Sequence, residues 1–422
     1  MNIAEKILAY ASGREEVKPG EIVQAKVDMA MVNEITGPLA IQAFKKIGVP
    51  GVWDNSRIVM VQDHQVPADT VKSAELHRVM RRFAEEQKIK FLYDVGFGGI
   101  CHQVMVEKGH VLPGKLIVGA DSHTCTYGAL GAFATGIGST EMAAVFATGE
   151  IWLRVPSTIL INLTGSFKRY VGPKDLILYV IGEIGASGAT YKAVEFAGST
   201  ISRISVGGRM TLCNMTVEMG AKTGLINPDD ITLEYVKSRT ERSFKVLRSD
   251  PDATYEKTLD VDVNRLEPQI ACPHSVDNVK PAKDVEGIKI NQAFLGSCTN
   301  GRLEDLEVAA EILRGRKISK GVRMIVTPAS QEVYLDALKN GLLEVFVKAG
   351  AIVSNPTCGA CFGGHMGLLA AGEVCISSSN RNFVGRMGSP EAEIYLASPA
   401  TVAASALAGE IVDPTEYLEG KE

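Results

Sequence analysis

Three cysteines suggest the chemistry of this chain. Cys298 stands alone in Gly296-Ser297-Cys298-Thr299-Asn300, and Cys358 and Cys361 form a Cys-x-x-Cys pair in Asn355-Pro356-Thr357-Cys358-Gly359-Ala360-Cys361. An iron-sulfur cube normally takes four thiolates. Three would leave one iron open to water or a substrate oxygen, so that it acts as a Lewis acid rather than an electron carrier. Removing and adding water on a hydroxy acid is the chemistry such a centre serves. Other readings stand beside it. A zinc site asks for a second close pair, and a thioredoxin-like pair belongs early in a βαβ unit without a remote Cys298. A buried cysteine is commonly a small hydrophobe, which is the reading for Cys213 and Cys375 inside apolar runs. The flanking Gly, Ser, Thr and Asn supply turns and N–H groups suited to sulfur, without choosing among these readings.

Proton-transfer groups come next. His64 follows Asp63, His123 follows Asp121 and Ser122, and His102 lies in the glycine-rich Gly98-Gly99-Ile100-Cys101-His102-Gln103. An imidazole oriented by a carboxylate can pass a proton to a departing hydroxide. His77, His110, His274 and His365 read as hydrogen-bonded structural residues. Asn214 and Glu218 are four apart on a helix predicted over 209–219, so one face carries both. There Glu218 serves a cleft or is an ordinary exposed residue. Arg381 and Arg386, in Asn380-Arg381-Asn382-Phe383-Val384-Gly385-Arg386, form two guanidinium forks suited to a dicarboxylate, with surface solubility as the rival role.

The elements that position these groups alternate β-branched runs with amphipathic segments, the signal of α/β layering. Strands are predicted over 57–62, 90–93, 115–120, 158–163, 292–295, 322–326 and 374–377. Helices are predicted over 71–87, 140–148, 175–184, 209–219, 303–313, 331–340 and 399–407. Asp63 and His64 follow one strand, Asp121 to His123 a second, Cys298 a third, Asn380 and Arg381 a fourth. Ligands of open α/β sheets bind at the carboxyl ends of strands, so a shared cleft is expected.

A chain of 422 residues with 45% hydrophobic content suggests two or three domains. Breaks near 154–157 and 268–284 divide it into α/β domains over 1–156, 157–285 and 286–422. A net charge of -5 provides no broad basic surface, which argues against nucleic acid and membrane as partners; a small anionic substrate needs a local basic site. The start, Met1-Asn2-Ile3-Ala4-Glu5-Lys6, puts charges where a secretory signal needs apolar residues. Residues 122–140 lack Asp, Glu, Lys and Arg but carry several glycines, and read as close-packed loop and helix start rather than a membrane span. Eight cysteines without framework spacing fit reduced thiols in a cytoplasmic protein.

Together, Asp63-His64, Gly99-Ile100-Cys101-His102-Gln103, Asp121-Ser122-His123-Thr124, Gly296 to Asn300, the Cys358 and Cys361 pair, and Ser379-Asn380-Arg381-Asn382-Phe383 through Arg386 resemble the aconitase family. The likeness runs in order from the first helix to near the C-terminus. It is nearest to the large subunits of the isopropylmalate and homoaconitate branch. The resemblance implies three α/β domains around a [4Fe-4S] cluster on Cys298, Cys358 and Cys361, with one iron lacking a cysteine ligand. It implies that Asp63, His64, His102, Asp121, His123 and Glu218 form the acid and hydrogen-bond network around the leaving hydroxyl. Asn33, Ser122, Asn214, Asn380, Arg381 and Arg386 would then hold substrate and the cluster surroundings. The family's fourth, swivelling domain carries the serine base and is expected on a separate small subunit. The implied activity is isomerisation of 2-isopropylmalate to 3-isopropylmalate in leucine biosynthesis. Homoaconitase or a methylmalate or dimethylmalate dehydratase is the alternative, and an RNA-binding apo-protein is disfavoured by the acidic balance. Asn33 and Tyr127 depart from the family pattern, where His or Gln and His are usual, and turn the expectation away from citrate.

Overall fold

A computed structural model describes residues 1–419 and divides the chain into two compact units. The first comprises residues 1–63, 67–164 and 189–261; the second comprises 64–66, 165–188 and 262–422, of which the described part ends at 419.

In the first unit, five strands form an all-parallel sheet in the order Phe91–Tyr93, Ile58–Val61, Met29–Asn33, Leu116–Gly119, Phe133–Gly136. Helices Gly37–Ile47, Val71–Glu86 and Cys101–Glu107 make crossovers between them. Every residue of Met29–Asn33, Ile58–Val61 and Leu116–Gly119 is buried, as a parallel sheet covered on both faces requires. Phe44, Phe83 and Phe146 meet above it, with ring centroids 5.7 to 6.2 Å apart. Such aromatic clustering adds to the area they bury. Helix starts follow their side chains: Thr70 and Ser73 form a capping box on Val71–Glu86, as Asn2 and Glu5 do on Ile3–Ser12. A smaller sheet orders Thr223–Ile226, Ala193–Ala197, Thr158–Thr164 and Lys257–Asp262.

The second unit winds seven strands in the order Val279–Pro281, Gln269–Ala271, Glu393–Leu396, Val374–Ser377, Gln292–Leu295, Arg323–Val326, Ile352–Val353. The last five are parallel and the first two add an antiparallel edge. Helices Leu303–Leu313 and Pro399–Ala408 bury Leu306, Ala310, Leu313, Val402 and Ala406 against the sheet. Among the described residues no helix is long and apolar enough to cross a membrane.

One expectation changes. The helix predicted over 209–219 stops at Asn214 and continues as a 3-10 turn over Met215–Met219. Thr216 Oγ1 bonds back to the Cys213 carbonyl at 2.8 Å, which tightens the backbone there. Asn214 and Glu218 therefore do not share one face of an α-helix.

Candidate active site

Three adjacent parallel strands of the first unit end in polar side chains. Asn33 closes the strand Met29–Asn33, Asp63 follows Ile58–Val61, and Asp121 follows Leu116–Gly119. Asp63 is fully buried; its Oδ2 accepts from Cys101 N at 2.7 Å, while its own N–H donates to Glu34 Oε2 at 2.9 Å. A carboxylate at the first residue of Cys101–Glu107 suits the positive end of that helix and orients it. The next residue is His102.

Asp121 Oδ1 accepts from His102 Nε2 at 2.9 Å and from His123 N at 2.9 Å, and His123 Nδ1 lies 3.7 Å away. Burial alone would raise this carboxyl, but the His102 imidazole and the bonds from His102 and His123 hold it well below the ordinary carboxylate range. An ionised carboxylate only accepts, so His102 carries its proton on Nε2. Its Nδ1 lies 3.0 Å from Tyr127 Oη. His123 Nε2 pairs with Glu218 Oε1 at 2.8 Å. The network thus runs Tyr127, His102, Asp121, His123, Glu218, with the two rings 6.2 Å apart. Asn33 Nδ2 approaches Asp121 Oδ2 at 3.4 Å. Asn214 stands behind the network, donating to Thr126 Oγ1 at 2.8 Å. Ser122, beside Asp121, lines a cavity of about 870 Å³ with Gly136, Ile137, Trp152 and Lys222. Ligand atoms of His102, Asp121 and His123 lie within 4.8 Å of one another, a spacing that would also admit a metal ion. However, His102 Nε2 and the Asp121 oxygen it faces are bonded to each other.

The second unit gathers the thiols. Cys298, Cys358 and Cys361 are buried and free of disulfides. Asn380, past the strand Val374–Ser377, donates from Nδ2 to Cys298 Sγ at 3.4 Å, and its Oδ1 lies 3.7 Å from Cys361 Sγ. Cys361 Sγ also lies 3.4 Å from Ser297 Oγ. Ser297 is buried at φ 78, a left-handed conformation that a residue with a Cβ keeps only where its surroundings impose it. Arg302 grips this turn through the Cys298 and Thr299 carbonyls at 2.5 and 2.6 Å. The His64 carbonyl accepts from Thr357 Oγ1 at 3.1 Å and Gly359 N at 3.2 Å, and the His64 ring meets Phe362 edge-on at 5.0 Å. His64 therefore stands at the turn bearing Cys358 and Cys361. Asn382 anchors the segment between the two arginines by donating to the Cys272 carbonyl at 2.8 Å. Arg381 and Arg386 are part-exposed, with Arg386 over the Phe383 ring.

The donor set fits an iron-sulfur cluster. Three buried thiols lie on short turns of one unit, and the Asn380 amide stands beside the Cys298 and Cys361 sulfurs, as cluster ligands commonly have. Other cysteines are ill suited: Cys375 is fully buried in its strand, where burial pushes the thiol up to about 12. Residues the sequence reading passed over are Glu34, Lys174, Ser297, Arg302 and Asp305. Ser297 stands inside the Cys298 motif and Glu34 and Arg302 lie close to motif residues, but Lys174 has no motif neighbour along the chain. His365, expected to be a hydrogen-bonded structural residue, is buried with neither ring nitrogen paired among the described residues.

The Aconitase family (aconitate hydratase) profile matches residues 5–285 and 275–409, and the chain belongs to that family. A probable 3-isopropylmalate dehydratase large subunit of Methanothermobacter thermautotrophicus is 58% identical over 414 residues, covering 98% of this chain and 99% of that one. The 3-isopropylmalate dehydratase large subunit 1 of Methanopyrus kandleri is 59% identical over 416 residues, 99% of each chain. A probable methanogen homoaconitase large subunit, also of Methanothermobacter thermautotrophicus, is 56% identical over 420 residues, 99% of this chain and 98% of that one. Among solved structures, holo aconitase X of Thermococcus kodakaraensis matches with a TM-score of 0.50 at 13% identity, over 85% of this chain and 84% of that one. The fold is the aconitase-type α/β fold expected from the sequence.

Proposed function

We propose that this chain is the large subunit of a hydro-lyase that interconverts 2-isopropylmalate and 3-isopropylmalate by dehydration and rehydration. Relatives named as large subunits of that enzyme, at 58 and 59% identity over nearly the whole chain, support the reading. The observation that carries it is the meeting of His64, the Cys358 to Cys361 turn, Cys298 and Asn380 in one unit.

A [4Fe-4S] cluster held by Cys298, Cys358 and Cys361, with one iron lacking a cysteine ligand, would supply Lewis acidity toward the substrate hydroxyl when bound. The chain's own residues do the rest. His64 gives a proton to the departing hydroxide, since it stands beside the cysteine turn. His102 has both ring nitrogens committed, to Tyr127 and Asp121, and so orients the carboxylate rather than releasing the proton itself. Asp121, kept ionised, with His123 and Glu218, holds the water that leaves and returns. Arg381 and Arg386 grip carboxylates and stabilise the charge that builds as the carbon-bound proton is lost. The base for that proton is a serine on the swivelling domain of a small subunit, the partner that the relatives' names imply.

The 56% identity to a homoaconitase large subunit favours homocitrate as the second substrate to test. Anaerobic reconstitution of the chain with iron and sulfide, mixing with its small subunit, and assays on isopropylmalate, homocitrate and methylated malates decide the matter. Turnover of isopropylmalate above the others supports the proposal. A loaded two-subunit protein that dehydrates none of them overturns it.

A further inference from the structure

Lys174 is the most unusual charge in the second unit. It lies in the first turn of helix Pro173–Ile184, where a cation faces the positive end of the helix dipole. It is 1% exposed, among the largest fully buried side chains of the protein. Its ammonium donates to three uncharged oxygens: the Ser378 and Ser379 carbonyls, both at 2.6 Å, and Asn300 Oδ1 at 3.3 Å. Among the described residues it forms no ion pair. A buried ammonium in that position is costly unless negative charge arrives nearby, and a local rule broken in this way points to function.

The three acceptors show where that charge belongs. Asn300 lies two residues after Cys298, and Ser379 directly precedes Asn380, whose amide contacts Cys298 and Cys361. Asn300 is held in turn by Asp305 through its Nδ2 at 2.9 Å. Lys174 therefore pins the segment carrying one proposed ligand thiol to the segment carrying the amide between two of them. Beside the buried Asp305 and Asp175 carboxyls, thiolates or a cluster would add to the counter-charge.

We propose that Lys174 is a positioning residue for the cluster: its buried ammonium balances the negative charge of the thiolate-held centre and fixes the Cys298 and Asn380 segments relative to each other. This inference rests on the cluster reading above. Burial draws the ammonium down to about 7, while Asp305, Cys361, Asp175 and Cys298 push it back up, in keeping with a cation that depends on nearby anions.

The test compares wild type with Lys174→Gln, which keeps polar reach and loses the charge, and with Lys174→Arg, which keeps the charge. Each full-length chain is reconstituted anaerobically. The readouts are the reduction potential of the bound cluster, the rate of iron release to a chelator, and the melting temperature of the cluster-free protein. Loss of a charge that stabilises the reduced centre shifts the potential of Lys174→Gln to more negative values. Loss of one charged hydrogen-bonding group speeds its iron release by roughly tenfold or more. The cluster-free protein melts nearly as wild type does, and Lys174→Arg returns the potential toward wild type. A Lys174→Gln protein with the potential and iron retention of wild type overturns the proposal. If that variant does not fold, Lys174→Met, which refills the volume, takes its place. Failure of both to fold assigns Lys174 to the fold rather than to the cluster, and likewise overturns the proposal. A wild-type chain that takes up no cluster refutes the underlying reading instead.

Discussion

Replacing Asp121 by asparagine removes one charge from the centre of the network and almost nothing from its shape. Asp121 Oδ1 accepts from His102 Nε2 and His123 N, both at 2.9 Å, and Oδ2 faces Asn33 Nδ2 at 3.4 Å. An amide must point its NH2 group at one of these donors, so one contact becomes a donor facing a donor. Hydrogen bonds to a charged group contribute about 1.5–3 kcal/mol, so turnover should fall roughly 10- to 150-fold in the reconstituted two-subunit enzyme. KM should move less, because no substrate carboxylate is assigned to Asp121. The same substitution has a readout in the isolated chain. The folded-state carboxyl lies well below its ordinary value, so the stabilisation Asp121 provides is complete above its unfolded value, near 4, and disappears as pH falls toward the folded one. Urea unfolding followed against pH should show the asparagine variant less stable at neutral pH and converging on wild type in acid. A variant whose turnover falls by less than about threefold, roughly 0.7 kcal/mol, and whose stability runs parallel to wild type at all pH would refute the role given to this carboxylate.

Three further outcomes are expected. Gly363→Ala should destabilise the chain by about 1–3 kcal/mol in chemical unfolding, because Gly363 sits at φ +75 and an added Cβ would lie 2.4 Å from the Arg386 carbonyl; a loss of dicarboxylate affinity should accompany it. His110 is drawn down to about 4 by burial and by Arg242 and Lys108, so the unfolded chain binds the extra proton between the ordinary histidine value of 6.5 and 4. Its contribution is lost as pH falls through that window, about 3 kcal/mol in all, and His110→Gln should flatten this limb of the stability profile. Arg209 is fully buried and donates to both Asp229 oxygens at 2.6 Å. Arg209→Met leaves that carboxylate without its partner and should cost about 3–5 kcal/mol, measured by denaturant midpoint.

Legibility in the sequence followed local chemistry. The runs at 57–62, 115–120, 292–295 and 374–377 are rich in Val and Ile or bounded by clear turns, and each holds a strand within about two residues. Met29–Asn33 was not foreseen, although it is the buried central strand, because Met-Ala-Met-Val-Asn has a single β-branched residue and no alternation. Phe133–Gly136 was absorbed into a predicted loop since its two flanks are glycine-rich. The motif residues were legible because they sit next to strand ends. Lys174 was not, because its meaning comes from Ser378, Ser379 and Asn300, more than 100 residues away along the chain. Glu34 was missed for the same reason: its partner, Asp63 N, belongs to the neighbouring strand end.

The two departures from the family pattern at Asn33 and Tyr127 take on a different meaning once their contacts are known. Asn33 Oδ1 receives Ile35 N, Thr36 N and Thr36 Oγ1, which fixes the amide so that Nδ2 is the end turned to Asp121. Tyr127 Oη bonds His102 Nδ1 and is itself fully buried. Both residues commit polar atoms to holding acid-base groups, so neither is well placed to sense what distinguishes one substituted malate from another. The same follows from the relatives, since two large subunits of one organism, named for different substrates, differ by only two points of identity to this chain. On the proposed function, Arg381 and Arg386 meet carboxylates that every candidate acid possesses. The substituent that varies must then be read by groups outside this set, and the small subunit that the relatives' names imply is the element that would supply them.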